Sequence, residues 1–382
     1  PGTSQVEQVP YSDKLKGRFF TSNLDVAKSF ADDPSKIKSI DIPEKDFNIG
    51  TKMARRINVD QMADQTILPK KTMKQIESGN NLTRATIIEL EAAELLIDMI
   101  DSVDMVKFTK NGSTATTAAV KLSRAYTGRT MIARCAENPF FSYDDWFIGS
   151  TPVTRGIPQK DIDNIKMFHY NDIESLEKLF NQYPNEISCV ILEPAVTEHP
   201  KNNFLHKIKE LCHKNGAVLI FDEMWTGFRW DLKGAEHYYD IKPDLCTYGK
   251  AMANGFSVAA VAGKREIMEL GSIETKGKER VFLLSTTHGA EMCGLGAFVE
   301  TMRFMKEHNV VNHIWQYGEK LIKMMNNLAK QYGIDKNFVA GGIECSPYYL
   351  TFDKNGQNSL GLRTLFSQEM IKNGILIPWI AL

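Results

Sequence analysis

No two cysteines in this chain are spaced as a C-x-x-C couple. The six present (Cys135, Cys189, Cys212, Cys246, Cys293 and Cys345) are scattered over 382 residues, so zinc-ribbon and dithiol redox motifs are absent. Most lie inside apolar runs and read as small buried hydrophobes, as expected of a reduced, cytosolic protein. No apolar run approaches the ~18 residues of a membrane span. The first stretch, "PGTSQVEQVPYSDKLKG", lacks the apolar centre of a secretory signal. Charge of one sign is not in excess either. The formal net charge is −1, so no overall field draws the chain to nucleic acid or to an anionic membrane. There is no internal repeat and no low-complexity tract. What remains is an ordinary globular composition, 43% hydrophobic and 24% charged, at a length that suits roughly two to three domains.

Three compositional blocks follow. Residues 1–72 stand apart as an unassigned N-terminal segment, in which "IKSIDIP" alternates like a strand and "NLDVAKSFA" reads as a short helix. From residue 73 to about 300, strand and helix patterns alternate. "TIIELEAAELLIDMI" opens with a capping box, Thr86 to Glu89, and carries Ile88, Ala92, Leu95 and Met99 at helical spacing. "MVKFT", "MIARC", "IKMFHYN", "ISCVILEP", "AVLIFDE" and "VAAVAG" read as strands, the fourth and fifth buried on both faces. "FLHKIKELCHKNG" is a helix closed by Gly216. Such alternation predicts an α/β domain, a mostly parallel sheet covered by helices. Residues 301–382 lose the alternation. A long helix interrupted near Asn309 precedes two expected strands, "YYLTF" and "GILIPWIAL", of a smaller domain.

In open α/β sheets, ligands sit at the carboxyl ends of the strands, and four groups fall there. Asn111-Gly112-Ser113 joins "MVKFT" to a helix. A glycine at a helix N-terminus makes a phosphate site, although alone it is an ordinary turn. Asp222 and Glu223 end a buried strand, so their carboxylates need a partner: a lysine, a metal or a protonated heterocycle. Glu193 ends the strand "CVIL", with Glu198 just beyond; helix capping is the plainer role for this pair. Lys250, in "DLCTYGKAMANG", sits between a short apolar run and a glycine-bearing loop. A lysine in a partly apolar site can form an imine with a carbonyl, whereas a lone surface lysine does nothing. Together the four supply a phosphate cradle, an acid for a ring nitrogen and an imine-forming amine, the three needs of pyridoxal 5′-phosphate.

"VLIFDEMWTGFR…KPDLCTYGKAMANGFSVAAVAGKREIM", "KFTKNGSTATTAAVKLSRAYTGR", "ILEP" and "STTHGAE" closely resemble blocks of the class III, fold type I aminotransferases, in particular the glutamate-1-semialdehyde aminomutase branch. The resemblance runs from about residue 73 to the end. It implies pyridoxal phosphate as cofactor, Lys250 as the Schiff-base lysine and proton shuttle, and Asp222 as the partner of the ring nitrogen. It sets Gly112 and Ser113 at the phosphate, and Glu198 near the ring hydroxyl. Thr287 would reach the phosphate of a neighbouring subunit, which implies a homodimer. Trp225 stands where some relatives carry glutamine. In place of the relatives' Tyr-His-Gly is "NPFFS", leaving Phe140 or Phe141 to stack on the cofactor ring. Residues 1–72 do not match the relatives, and the small domain stops early. The implied activity is amino-group transfer between a glutamate-like donor and a carbonyl substrate, a keto- or aldehydo-sugar among the candidates. An aminomutase and an inactive aminotransferase-like scaffold are the alternatives.

Overall fold

The computed structural model describes the backbone of Glu7–Val9 (β1) and Arg18–Phe20 (β2), which pair antiparallel, and residues 87–272, 277–282, 288–289 and 291–377. The strand and helix expected within residues 23–43, the Thr86 half of the capping box and Thr287 lie outside the described residues.

A seven-stranded sheet forms the main body. Its strands are Met105–Thr109 (β3), Met131–Cys135 (β4), Ile165–Phe168 (β5), Ile187–Leu192 (β6), Val218–Asp222 (β7), Leu245–Tyr248 (β8) and Ala259–Gly263 (β9), in the order β3-β9-β8-β7-β6-β4-β5. β4 to β8 pair in parallel. β9 runs antiparallel to both neighbours, β3 and β8. The cause is the connection: between β8 and β9 the chain has only a single 3₁₀ turn, Lys250–Met252. Without a crossover helix the strand returns in the opposite direction. Every residue of β4, β6, β7, β8 and β9 is buried, as a sheet covered on both faces requires.

The expected helices form. Ile87–Met99 (α1) buries Ile88, Ala92 and Leu96, with Leu95 and Met99 packed against the same core half-buried. Its apolar stripe is therefore wider than the spacing of Ile88, Ala92, Leu95 and Met99 indicates, taking in Leu96 and, partly buried, Ala93 and Ile97. Gly112–Thr127 (α2) lies against strands of the sheet. Asp145–Ile148 (α3), Gln159–Asp163 (α4), Ile173–Gln182 (α5), Phe204–Lys214 (α6), Ala235–Tyr238 (α7) and Arg265–Met268 (α8) complete the layers. The long helix does break near Asn309. Met292–Glu307 (α9) buries Leu295, Phe298 and Met302 in the core that α1 shares, and Val310–Gln331 (α10) follows. Asn309 takes a left-handed φ of 49°, a conformation asparagine tolerates better than most residues.

Beyond α10, Phe338–Ile343 (β10) and Ser346–Thr351 (β11) form an antiparallel pair, and Leu360–Lys372 (α11) packs on β11. "YYLTF" is thus a strand, but "GILI" is not: after α11 the chain turns at Gly374 (φ 78°), and residues 375–377 join no sheet. Residues 378–382 are outside the described part. No described helix is long and apolar enough to cross a membrane.

Glu223 is fully buried and stitches the segment after β7. Its carboxylate accepts from the Thr226 hydroxyl, from Ala235 N at 3.0 Å and from Glu236 N at 2.9 Å, and so caps α7. Burial outweighs these bonds and pushes the acid up to about 7. The folded state therefore holds the proton better than the unfolded chain does. The stability this contributes is complete below the ordinary value of 4.5 and is lost as pH rises through about 7. Glu223→Gln has no such titration. Thermal melts across this pH window should show the wild-type protein losing stability relative to Glu223→Gln as pH rises.

Candidate active site

Asp222, Lys250 and the Asn111–Ser113 turn meet at the carboxyl edge of the sheet. Asp222 is the last residue of β7 and is 1% exposed. Its Oδ1 accepts from Met224 N at 3.0 Å and from Thr247 Oγ1 at 2.9 Å, the latter on adjacent β8. Burial raises its pKa; these two donors and the Lys250 charge oppose the rise. Lys250 follows β8 by two residues. It has a left-handed φ of 46°, a conformation that costs a non-glycine residue roughly 1–2 kcal/mol. Bonds from Met252 N to Gly249 O (2.9 Å) and from Asn254 N to Lys250 O (3.2 Å) hold the turn. The ammonium of Lys250 lies 5.0 Å from the centre of the Trp225 ring, within cation–π range.

The turn after β3 is built for an anion. Asn111 caps α2, its Oδ1 accepting from Thr114 N at 2.9 Å. The N–H groups of Gly112 and Ser113 find no acceptor among the described residues, and they stand at the positive end of the helix. Ser113 is buried, and its hydroxyl accepts from Tyr143 N at 3.2 Å. Met224 fills the space between this turn and the lysine loop. A Cβ at Gly112 would lie 3.1 Å from its sulfur, and one at Gly249 2.6 Å. Both glycines let the Met224 thioether lie close to the backbone, and a side chain at either would displace it. Ser257, where the lysine loop ends, donates to Lys110 O at 2.6 Å, and Lys110 pairs with Glu291, the cap of α9, at 2.7 Å.

The remaining sequence candidates divide. Glu193, one residue past β6, is 5% exposed. Its carboxyl is pushed up by burial and by the Asp222 charge, and drawn down by Lys250, so it belongs to the same electrostatic cluster. Glu198 is exposed and engaged elsewhere: Asn171 Nδ2 donates to it at 3.1 Å, and Lys201, bonded to its other oxygen, holds it below the usual carboxylate range. Phe140 is 52% exposed, whereas Phe141 is 2% exposed and packs in the core. Of the two rings only that of Phe140 is presented outward. Thr287 is outside the described residues.

Two contributors, Thr247 and Asn138, were not singled out from sequence, and Trp225, noted there only for standing where some relatives carry glutamine, gains a contact. Thr247 donates to Asp222. Asn138, past the end of β4, accepts from Glu193 N at 3.0 Å while its Nδ2, fully buried, has no partner among the described residues. Trp225 donates its indole N–H to Ser346 Oγ at 2.8 Å, tying the site to β11. Apolar runs in the sequence mark β8, which carries Thr247, and β4, which precedes Asn138, but nothing local marks what those side chains meet.

A mostly parallel sheet with a lysine, a buried aspartate and a helix-capped glycine turn along one edge defines the fold type I class of pyridoxal-phosphate enzymes. Within that class, the chain belongs to the class-III aminotransferase family, whose model matches residues 70–345. It is 32% identical over 320 residues to a glutamate-1-semialdehyde 2,1-aminomutase of Clostridium tetani, covering 79% of this chain and 75% of that protein. It is also 32% identical over 289 residues to a 3-aminobutyryl-CoA aminotransferase of Cloacimonas acidaminovorans, covering 74% and 66%. Among solved structures, an omega-transaminase from Sphaerobacter thermophilus superposes with a TM-score of 0.70 at 25% identity, over 81% of this chain and 75% of that one.

The protein is accordingly a pyridoxal-phosphate-dependent transaminase or aminomutase, and its cofactor is pyridoxal 5′-phosphate. The residues present fit that group. Among the described residues the N–H groups of Gly112 and Ser113 have no acceptor and suit the phosphate, the buried Asp222 suits a protonated ring nitrogen, and the Asn138 amide nitrogen, which has no partner there, leaves a donor for a polar ring substituent.

Thr247→Val is isosteric and removes one of the two hydrogen bonds to Asp222. Loss of a bond to a buried carboxylate should cost about 1–3 kcal/mol. Only the ionised form depends on the donor, so the loss should be larger at about pH 8 than at about pH 4. Denaturant unfolding of the cofactor-free protein at both pH values measures this.

Proposed function

We propose that this protein transfers an amino group between a glutamate-like donor and a small carbonyl substrate, with a keto- or aldehydo-sugar as one candidate, and that Lys250 and Asp222 carry the chemistry. The observation behind this reading is their placement: the two side chains project from the ends of adjacent strands, coupled by charge, beside an anion-binding helix start. When bound, the cofactor supplies an electron sink for the carbanion left when a substrate carbon loses its proton. The protein's own residues do the rest. Lys250 is the amine that would hold the cofactor's aldehyde carbon and the base that would move the substrate proton. Asp222 keeps the ring nitrogen protonated. Asn111, Gly112 and Ser113 would hold the phosphate, Phe140 would cover one face of the ring, and Glu193 would add to the acid wall beside it. Glu198, exposed and bonded to Asn171 and Lys201, and Phe141, packed in the core against Phe147, take no direct part in this reading.

An aminomutase, which moves the amino group between neighbouring carbons of one molecule, is the second reading. The same residues serve both reactions, and the similarity to the Clostridium tetani aminomutase favours it. The two differ in whether the deaminated intermediate leaves the site. We also place the protein in a reducing compartment such as the cytoplasm, since all six cysteines are free and none belongs to a disulfide framework.

Asp222→Asn tests the chemistry. Asparagine preserves the shape but cannot keep the ring nitrogen protonated. The variant should retain its fold and much of its cofactor and lose about two to three orders of magnitude in rate, equivalent to ~3–4 kcal/mol of transition-state stabilisation. Turnover of the variant near the wild-type rate refutes the assignment.

We further propose that the working unit is a homodimer in which Thr287 of each chain completes the phosphate site of the other. A ligand held by two chains stabilises their association. Sedimentation with absorbance read at the cofactor band should show dimer and cofactor lost together on dilution. A monomer that stays fully loaded contradicts the shared site.

A further inference from the structure

We propose that Asn138 is the hydrogen-bond donor to the ring hydroxyl oxygen of the cofactor, a role that rests on the reading of Lys250 and Asp222 above and extends it. The placement comes first. Asn138 lies three residues past the end of β4, Glu193 one residue past β6, and Asp222 at the end of β7. These strands are neighbours in the sheet, so the three residues form a row along its carboxyl edge. The bond from Glu193 N to Asn138 Oδ1 fixes the plane of the amide. The opposite nitrogen, on a side chain 1% exposed, then carries two N–H donors with no acceptor among the described residues. Leaving such a donor unmade is costly, and native structures keep few of them without a reason.

Chemistry and elimination identify the acceptor. The pyridoxal ring bears an oxygen beside its aldehyde carbon, and when ionised that oxygen needs a donor and repels a carboxylate. Glu198, set near this oxygen by family resemblance, is held ionised by Lys201 and is acceptor-only. The single donor of Trp225 is spent on Ser346, and the Thr247 hydroxyl is spent on Asp222. Two other buried side-chain oxygens lack partners among the described residues, those of Thr109 and Tyr248. Thr109 ends β3 at the far edge of the sheet, and the Tyr248 ring lies in the core against Phe228. Asn138 alone stands in the row with Glu193 and Asp222. Asparagine fits because one end of its amide accepts from the strand while the other donates to the ligand, a division that neither leucine nor alanine can make.

The test compares equilibrium binding of pyridoxal 5′-phosphate and 3-deoxypyridoxal 5′-phosphate, which lacks only that oxygen, to the cofactor-stripped full chain. Wild type should prefer the natural cofactor by about tenfold. In Asn138→Leu the preference should fall to within about twofold; if this variant does not fold, Asn138→Ala serves, with the same expectation. A purely structural role for Asn138 would weaken both ligands alike and leave the ratio unchanged. A ratio that stays at the wild-type value in the variant, or a wild-type protein with no preference, overturns the proposal while leaving Lys250 and Asp222 in place. Failure of the wild-type chain to bind either compound overturns the cofactor reading itself.

Discussion

Asp222 sets the terms for the rest of the molecule. Removing a carboxylate from water costs several kcal/mol unless partners replace the lost solvation, and this one is buried at the end of a strand with two hydrogen-bond donors. Both donors come from segments that also build the site: Met224 begins the turn after β7, and Thr247 lies on β8 just ahead of the lysine loop. The Thr247 bond ties the end of β7 to the end of β8, just ahead of Lys250, while the Met224 bond shapes the turn that leaves β7. They do not cancel the burial penalty, since the acid stays raised. A cationic ring N–H placed against Asp222 would supply the missing counter-charge.

The same junction draws in every other part of the site. Met224 packs between Gly112 and Gly249, so the Asn111–Ser113 turn and the lysine loop share one thioether as a spacer. Trp225 follows directly. Its ring faces the ammonium of Lys250 and the guanidinium of Arg229, 5.0 and 5.2 Å from the ring centre, and its N–H reaches Ser346 on β11. The second sheet is therefore bound to the lysine through a single side chain. Glu223, next to Asp222 in sequence, does different work: with its side chain turned to Thr226, Ala235 and Glu236, it holds α7.

Much of this was legible in the sequence because it is local. Continuous apolar runs ended by a charged or glycine-bearing turn mark "VLIFD", "CVILE" and the approach to Lys250, and each is a buried strand whose end lies at the site. The Asn111 cap and the helix it starts can be read the same way. The antiparallel return of β9 could have been read from the shortness of the loop before it, although "VAAVAG" itself looks like any parallel core strand. What spacing does not carry is pairing across strands. Thr247 meets Asp222 across 25 residues and Asn138 meets Glu193 across 55, and neither residue type is unusual where it stands. For the same reason the adjacent rings of Phe140 and Phe141 were indistinguishable until the backbone sent one outward and one into the core. Glu193 and Glu198, equal as candidates in sequence, part because one is buried beside Asp222 and the other is claimed by Lys201.

The central claim is that Lys250, rather than any other amine of the chain, holds the cofactor at this edge of the sheet. Borohydride reduction of the protein loaded with pyridoxal 5′-phosphate, followed by peptide mapping, tests it most directly. The account predicts a single pyridoxyl-phosphate adduct on the peptide carrying Lys250, and its loss in Lys250→Ala. A label on another lysine, or no label after incubation with the cofactor, would contradict it.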